Sequence, residues 1–227
     1  MGWLKDNIDA IKERDPAARS SFEIFMCYSG LHAIMYHRVA AFFYRHGLIY
    51  IARRISQRAR RRTGIEIHPA AKLGKRLYID HGMSVVIGET AEIGDDCTIY
   101  QGVTLGGTGK ESGKRHPTLG NNVVVGAGAK VLGSFTVGDN SKIAAGAVVL
   151  DEVPPDSTAV GVPARVVRRG GKRVDNFDNV HIVDPYAQED CKLQCQIDKL
   201  KKRIDDLTLR LDAQDASEKP GNRDTDT

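Results

Sequence analysis

Residues 119–149 read LGNNVV, VGAGAK, VLGSFT, VGDNSK, IAAGAV and V, so that Leu119, Val125, Val131, Val137, Ile143 and Val149 each open a block of six. Toward the N-terminus the same spacing returns in Ile87, Ile93, Ile99 and Leu105, and before them in Ile67, Leu73 and Ile79. A period of six matches neither the 3.6-residue repeat of a helix nor the two-residue alternation of a strand. It predicts a parallel β-helix in which each hexad supplies one short strand and one corner of a triangular prism. The aliphatic residue points inward and small residues occupy the corners. Two interruptions break the register: two extra residues between Ile79 and Ile87, and the segment 106–118 between Leu105 and Leu119. Extra residues must leave the prism as loops, and loops are where such scaffolds carry function.

The flanks have other periods. From Trp3 to about Arg62 the apolar residues Leu4, Ile8, Ile11, Phe25, Leu31, Met35, Val39 and Phe42 follow helical spacing. Ser20-Ser21-Phe22-Glu23 fits a capping box that opens one long helix ending near Gly47, and a further helix is expected over roughly Ile49–Arg61. Near the other end, Leu193, Ile197, Leu200, Ile204, Leu207 and Leu211 form a heptad stripe, which predicts a coiled-coil helix. The expected organisation is an N-terminal α-helical domain (1–62), a β-helix domain with its loop 106–118 (63–168), a linker (169–190), a coiled-coil helix (191–213) and a disordered tail (214–227). The fold class is therefore mainly β.

Composition narrows the function. With 41% hydrophobic residues in 227, the chain can bury a core, which excludes wholesale disorder. The net charge of +4, from 33 Lys+Arg and 29 Asp+Glu, argues against a dedicated nucleic-acid binder. No apolar run approaches a membrane span, and Lys5 and Asp6 interrupt any leader-like start, so a cytoplasmic protein is expected. Cys27, Cys97, Cys191 and Cys195 form no C-x-x-C pair and do not cluster with His, which suits reduced thiols and no metal site. The basic run from Arg53 to Arg62 lacks interleaved aromatics and is taken as a solvated helix face. Gly106–Gly113 fails as a phosphate loop, because Thr104 stands where that motif needs Gly and Glu111 follows Lys110.

An ordered set of motifs goes beyond the hexads: Asp15-Pro16-Ala17, Ile67-His68-Pro69-Ala70-Ala71, Asp80-His81-Gly82, Val86-Ile87-Gly88-Glu89-Thr90, Gln101 through Lys110, Lys114-Arg115-His116-Pro117 and Gly161-Val162-Pro163-Ala164-Arg165. Together they resemble the serine O-acetyltransferase family, from about Ile11 to Val167. The resemblance implies a left-handed parallel β-helix and acetyl transfer from acetyl-CoA to the hydroxyl of L-serine, in cysteine biosynthesis. It implies His81 as the catalytic base and Glu66, an Asp in many relatives, as the carboxylate that orients it. Asp15 and Asp80 would hold the substrate ammonium, and Arg115 and His116 its carboxylate. Gly107, Thr108, Ala127, Lys142 and Ala145 would line acetyl-CoA. L-cysteine is the implied inhibitor, and the implied assembly is a homotrimer with active sites between subunits. The polar ending Asp224-Thr225-Asp226-Thr227 is expected to leave the family's complex with O-acetylserine sulfhydrylase weak or absent.

The chemistry stands without the family. A hydroxyl needs a base within reach to attack a thioester, and neutral His suits that task near pH 7. An amino acid also needs opposite charges for its ammonium and carboxylate, and Arg grips a carboxylate through two parallel hydrogen bonds. His68, beside Pro69, is assigned a structural role. The other readings are an acetyltransferase for sugars, a γ-carbonic-anhydrase-like zinc enzyme using His68, His81 and His116, and a scaffold without activity. The zinc reading lacks that family's H-x₄-H pair, because Asn121 lies five residues after His116.

Overall fold

The computed structural model describes residues 2–109 and 112–173, together with Ile197, Leu200, Lys201, Arg203 and Ile204. Contacts divide the chain into two units, Met1–Asp175 and Asn176–Thr227. The expected coiled coil and tail lie outside the described residues apart from those last five, which are helical and exposed.

The hexads form a triangular prism. One face stacks β1 (Glu66–Ile67), β4 (Val86–Ile87), β7 (Thr104–Gly106), β10 (Lys130–Leu132) and β13 (Val148–Val149). A second stacks β2 (Lys72–Leu73), β5 (Glu92–Ile93), β8 (Thr118–Leu119) and β11 (Thr136–Val137). The third stacks β3 (Tyr78–Ile79), β6 (Thr98–Ile99), β9 (Val124–Val125), β12 (Lys142–Ile143) and β14 (Ser157–Val160). Pairing between these stacked strands is parallel, and the inner residues lie in register: Ile67 over Ile87, Ile87 over Leu105, Leu105 over Val131 and Val131 over Val149. Nearly every inward-pointing aliphatic side chain is buried.

The register shows where the interruptions go. Ile87 and Leu105 are 18 residues apart, one regular coil, whereas Ile67 and Ile87 are 20 apart and Leu105 and Val131 are 26 apart. The two extra residues after Ile79 and the eight after Leu105 are thus extruded at corners, as the sequence predicts. Past Val149 the stack shortens, because Ile143 pairs with Ala159 after only 16 residues. It then turns antiparallel through β15 (Arg165–Arg169) and β16 (Lys172–Arg173). Strand β16 falls in the stretch that the sequence assigns to linker.

The helices α1 (Trp3–Arg14), α2 (Ser21–Cys27), α3 (Ser29–Arg45) and α4 (Ile49–Thr63) precede the prism. Ser20 caps α2, its Oγ accepting from Glu23 N at 3.1 Å, while the Glu23 carboxylate accepts from Arg19 N. The single long helix expected after Ser20 is broken at Tyr28, which is extended (φ −85°, ψ 104°). Restarting there lets Gly30 lie against β3, where a Cβ would drive into the Ile79 carbonyl. Among the described residues no helix is long and apolar enough to cross a membrane.

The helices also complete the first coil's hydrogen bonding. Between coils, N–H groups at the strands donate upward, as Glu66 N does to Val85 O at 2.9 Å, and N–H groups at the corners donate downward, as Ser84 N does to Gly64 O at 2.9 Å. The lowest coil has no coil beneath it to donate to its outward-facing carbonyls. Side chains from the helices donate to these: Ser56 Oγ to Ile67 O at 2.7 Å, His37 Nε2 to Ala71 O at 3.1 Å and Arg14 Nη1 to Arg76 O at 3.0 Å. Buried carbonyls left unpaired would be costly, so this ties the helical layer to the prism.

His37 is buried, and burial pushes its pKa from 6.5 down to about 4, opposed by the bond to Ala71. On acidification the unfolded chain takes up this proton first. The stability that neutral His37 contributes is therefore complete above 6.5 and lost as pH falls toward 4, by at most about 1.4 kcal/mol per pH unit. The thermal midpoint should fall over that window, and His37→Gln, which keeps a donor for Ala71, should flatten the decline. Equal slopes for the two proteins would place the acid sensitivity elsewhere.

Candidate active site

The first register break builds a cleft. Leaving β3, Asp80 N still donates to Ile99 O at 2.9 Å, but the chain then turns left-handed at His81 (φ 56°) and Gly82 (φ 78°). A non-glycine residue at such φ is uncommon and needs external support. Ser29 supplies it from the start of α3, its Oγ donating to His81 O at 3.1 Å. The imidazole is thereby held outward, with 72% of the side chain exposed and Nε2 3.9 Å from Asp80 Oδ2.

Asp15, at the C-terminus of α1, faces the same cleft of about 330 Å³, together with Cys27, Tyr28, Ser29, Asp80 and His81. Tyr28 Oη donates to Asp15 Oδ2 at 2.6 Å and Ala17 N donates to Oδ1 at 2.8 Å. These bonds, the tyrosine first, hold the Asp15 carboxyl below its ordinary value, so it is an anion near neutral pH. Burial and the adjacent carboxylate push the Tyr28 hydroxyl upward, which keeps it a donor. The cleft thus offers two carboxylates and an accessible imidazole. That set suits a cationic group placed beside a hydroxyl that must lose its proton.

Arg115 and His116 stand on another edge of the prism, where loop 106–118 returns to β8. Arg115 Nη2 donates to Glu89 Oε2 at 3.0 Å. The Thr90 hydroxyl accepts from Arg115 N and His116 N at 3.0 and 3.1 Å, and the Thr90 side chain meets His116 Nδ1 at 2.8 Å. Thr90 N also donates to Nδ1 at 3.2 Å, so Nδ1 is an acceptor and the proton of neutral His116 sits on Nε2. His116 is buried, and Gly88 is required beneath it because a Cβ there would enter the ring. Burial first, then Arg115, lowers its pKa. These two residues do not line the cleft of Asp15 and His81.

Glu66, on β1, lies with its carboxylate 3.3 Å from Arg60 Nε. Of the residues assigned to acetyl-CoA, Ala127 and Ala145 fall on the same prism edge as His81. A ladder of corner bonds runs up this edge: Gly102 N to Met83 O, Gly128 N to Gln101 O and Gly146 N to Ala127 O, each 2.8 Å. Gly107 and Thr108 are exposed on the Arg115 edge, and Lys142 is exposed on β12. His68 turns the chain, its Nδ1 accepting from Ala70 N at 3.1 Å, with its ring against the edge of Tyr44. Among the described residues no group of three or more His, Cys, Asp or Glu could hold a metal ion.

A family model described as bacterial transferase hexapeptide (six repeats) matches residues 116–151. The serine acetyltransferase of Bacillus subtilis (strain 168) is 54% identical over 209 residues, which is 92% of this chain and 96% of that protein. The chain belongs to the serine acetyltransferase family. Its fold is the left-handed parallel β-helix of that acyltransferase family, and solved members superpose on it closely. The serine acetyltransferase of Neisseria gonorrhoeae in complex with serine gives a TM-score of 0.71 at 43% identity, covering 73% of this chain and 68% of that one. A serine acetyltransferase in complex with cysteine gives 0.72 at 42% identity, covering 73% and 69%.

Sequence reading missed the Tyr28 contact in this serine acetyltransferase relative, along with Cys27 and Ser29. All three sit inside a helical apolar pattern, where Tyr reads as core, and Gly30 is the one local sign of a break. Tyr28→Phe should raise the Asp15 carboxyl toward its ordinary 3.8, because the strongest donor to it is lost. A carbon-detected NMR titration of Asp15 checks this. An unmoved midpoint would assign the depression to the remaining groups, Ala17, Tyr78 and His81.

Proposed function

We propose that this chain transfers the acetyl group of acetyl-CoA to the hydroxyl of L-serine, in the cytoplasm, as a step of cysteine biosynthesis. The observation that carries the reading is the convergence of Asp15, Asp80 and an accessible His81 on one cleft. The carboxylates take the substrate's ammonium. His81 removes the hydroxyl proton as the serine oxygen attacks the thioester carbon. The C–S bond then breaks, and the imidazolium returns the proton to the departing sulfur, giving O-acetyl-L-serine and CoA. Glu66 orients the imidazole once it leaves Arg60. Acetyl-CoA lies along the corner ladder, where Ala127 and Ala145 leave room for an extended pantetheine arm, with Gly107, Thr108 and Lys142 beside it.

The substrate carboxylate still needs a cation, and the cleft's own edge supplies carboxylates and an imidazole. The separation of Arg115 and His116 onto another edge supports a homotrimer in which these two residues of a neighbouring copy close over the cleft. L-cysteine carries the same two charged groups as serine and competes for this site, a reading supported by the family member solved with cysteine.

Against a panel of serine, threonine, homoserine and sugars, release of CoA should be greatest with serine. His81→Ala should lower kcat by roughly 10²–10⁴-fold while acetyl-CoA still binds, and Glu66→Gln should lose less. Preference for a sugar, or near-normal turnover by His81→Ala, would overturn the reading.

A shared site has a sharper test. His81→Ala and Arg115→Ala, each weak alone, should regain activity when unfolded together and refolded as mixed oligomers, because some interfaces then carry both native residues. Activity no higher than the sum of the parents would confine each site to one chain.

A further inference from the structure

Among the described residues, two buried side-chain polar atoms have no hydrogen-bond partner, Tyr78 Oη and Gln101 Oε1. Both adjoin the candidate site. Tyr78 is on β3, two residues before Asp80, and Gln101 occupies the corner one coil above His81, since Ile79 pairs with Ile99. Unsatisfied buried groups are few in native proteins and call for a reason at each position.

Tyr78 is the more informative of the two. It is 2% exposed, and its ring packs with Ile11, Ile24 and Leu31 from the first three helices. A phenylalanine would fill that space without burying a hydroxyl. The hydroxyl is not in neutral surroundings, however. The groups acting on it are Asp80, Asp15 and Tyr28, and burial together with Asp80 pushes its pKa upward, so it stays protonated as a donor. It also acts on Asp15, holding that carboxyl down after Tyr28 and Ala17 have done so. Asp15 already accepts from Tyr28 and Ala17, whereas Asp80 has the looser setting, with its Oδ2 3.9 Å from His81. Tyr78 and Asp80 are two residues apart along the strand and so share one side of it, and the electrostatics couple the Tyr78 hydroxyl to Asp80 and Asp15 although it has no partner within hydrogen-bond distance.

We propose that Tyr78 is a positioning residue for the amino-acid substrate: its buried hydroxyl is the donor that fixes the Asp80 carboxylate when a ligand's ammonium enters between Asp15 and Asp80. The inference rests on the acetylation of serine argued above and deepens it. On binding, the ammonium draws in both carboxylates, Asp15 held by Tyr28 and Asp80 by Tyr78, so that each is gripped by a tyrosine from the protein side. A charge-assisted bond of this kind is stronger than a neutral one and sets direction as well as strength.

The test is Tyr78→Phe in the full chain, comparing steady-state kinetics for serine and acetyl-CoA with the thermal midpoint. The serine KM should rise roughly tenfold, the scale of one hydrogen bond to a charged group. The acetyl-CoA KM should stay unchanged, and the midpoint should stay level or rise, because an unpaired buried hydroxyl has been removed. A serine KM within twofold of the unmodified chain would overturn the proposal. So would a lowered midpoint or a failure to fold, either of which would make the hydroxyl structural. The unmodified chain is assayed first. If it does not acetylate serine, the functional reading and this inference fail together. If it does and Tyr78→Phe keeps the same serine KM, only this inference fails.

Discussion

One aliphatic side chain per hexad must lie over its counterpart in the coil beneath, and the rest of the molecule is arranged around that requirement. Ile67, Ile87, Leu105, Val131 and Val149 fill one column, and comparable columns fill the other two faces. Removing any of these side chains would leave a void between coils rather than on a surface, where collapse is difficult. The same stacking makes the prism intolerant of extra residues except at its corners. An insertion of two becomes a left-handed turn carrying His81, and an insertion of eight becomes a loop that delivers Arg115 and His116. The residues proposed to carry the chemistry sit where the core cannot accommodate extra chain.

The helices serve both the fold and the site. Ser56, His37 and Arg14 close the first coil's carbonyls, which sets the helical layer on the prism. That docking brings the end of α1 and the break between α2 and α3 to the end of β3, so Asp15, Tyr28 and Ser29 meet Asp80 and His81. Gly30 sets the distance, because a larger residue would hold α3 off the Ile79 carbonyl. The site depends on a close backbone approach as much as on its charged groups.

The prism was legible because a six-residue period survives in plain sequence and no other architecture produces it. The cap at Ser20 was legible for a similar reason, since its signal is local. The break at Tyr28 was not, because the helical spacing of apolar residues runs through it and the cause, contact with Ile79, is some fifty residues away. The antiparallel end of the stack was also hidden: Arg165–Arg169 has no hexad pattern, and its strand exists by pairing with Ser157–Val160. At the site, Asp80 and His81 stood out beside a register break. Tyr28 and Tyr78 looked like ordinary apolar filling, and their hydroxyls acquire meaning only beside carboxylates contributed from elsewhere in the chain. The distance of Arg115 and His116 from the cleft follows from which prism edge each insertion occupies, a question of geometry that residue types do not answer.

A stack of parallel strands has no intrinsic length. Each coil offers its neighbours unpaired donors and acceptors, which is the property that lets β-rich chains grow end to end into fibres. Here the two ends differ from the coils between them. At the lower end, a serine, a histidine and an arginine occupy acceptors, and at the upper end β15 and β16 continue one face in the antiparallel sense. The helical layer that shapes the cleft therefore also works as a terminator of polymerisation. Loosening it would expose a growth surface as well as dismantle a site.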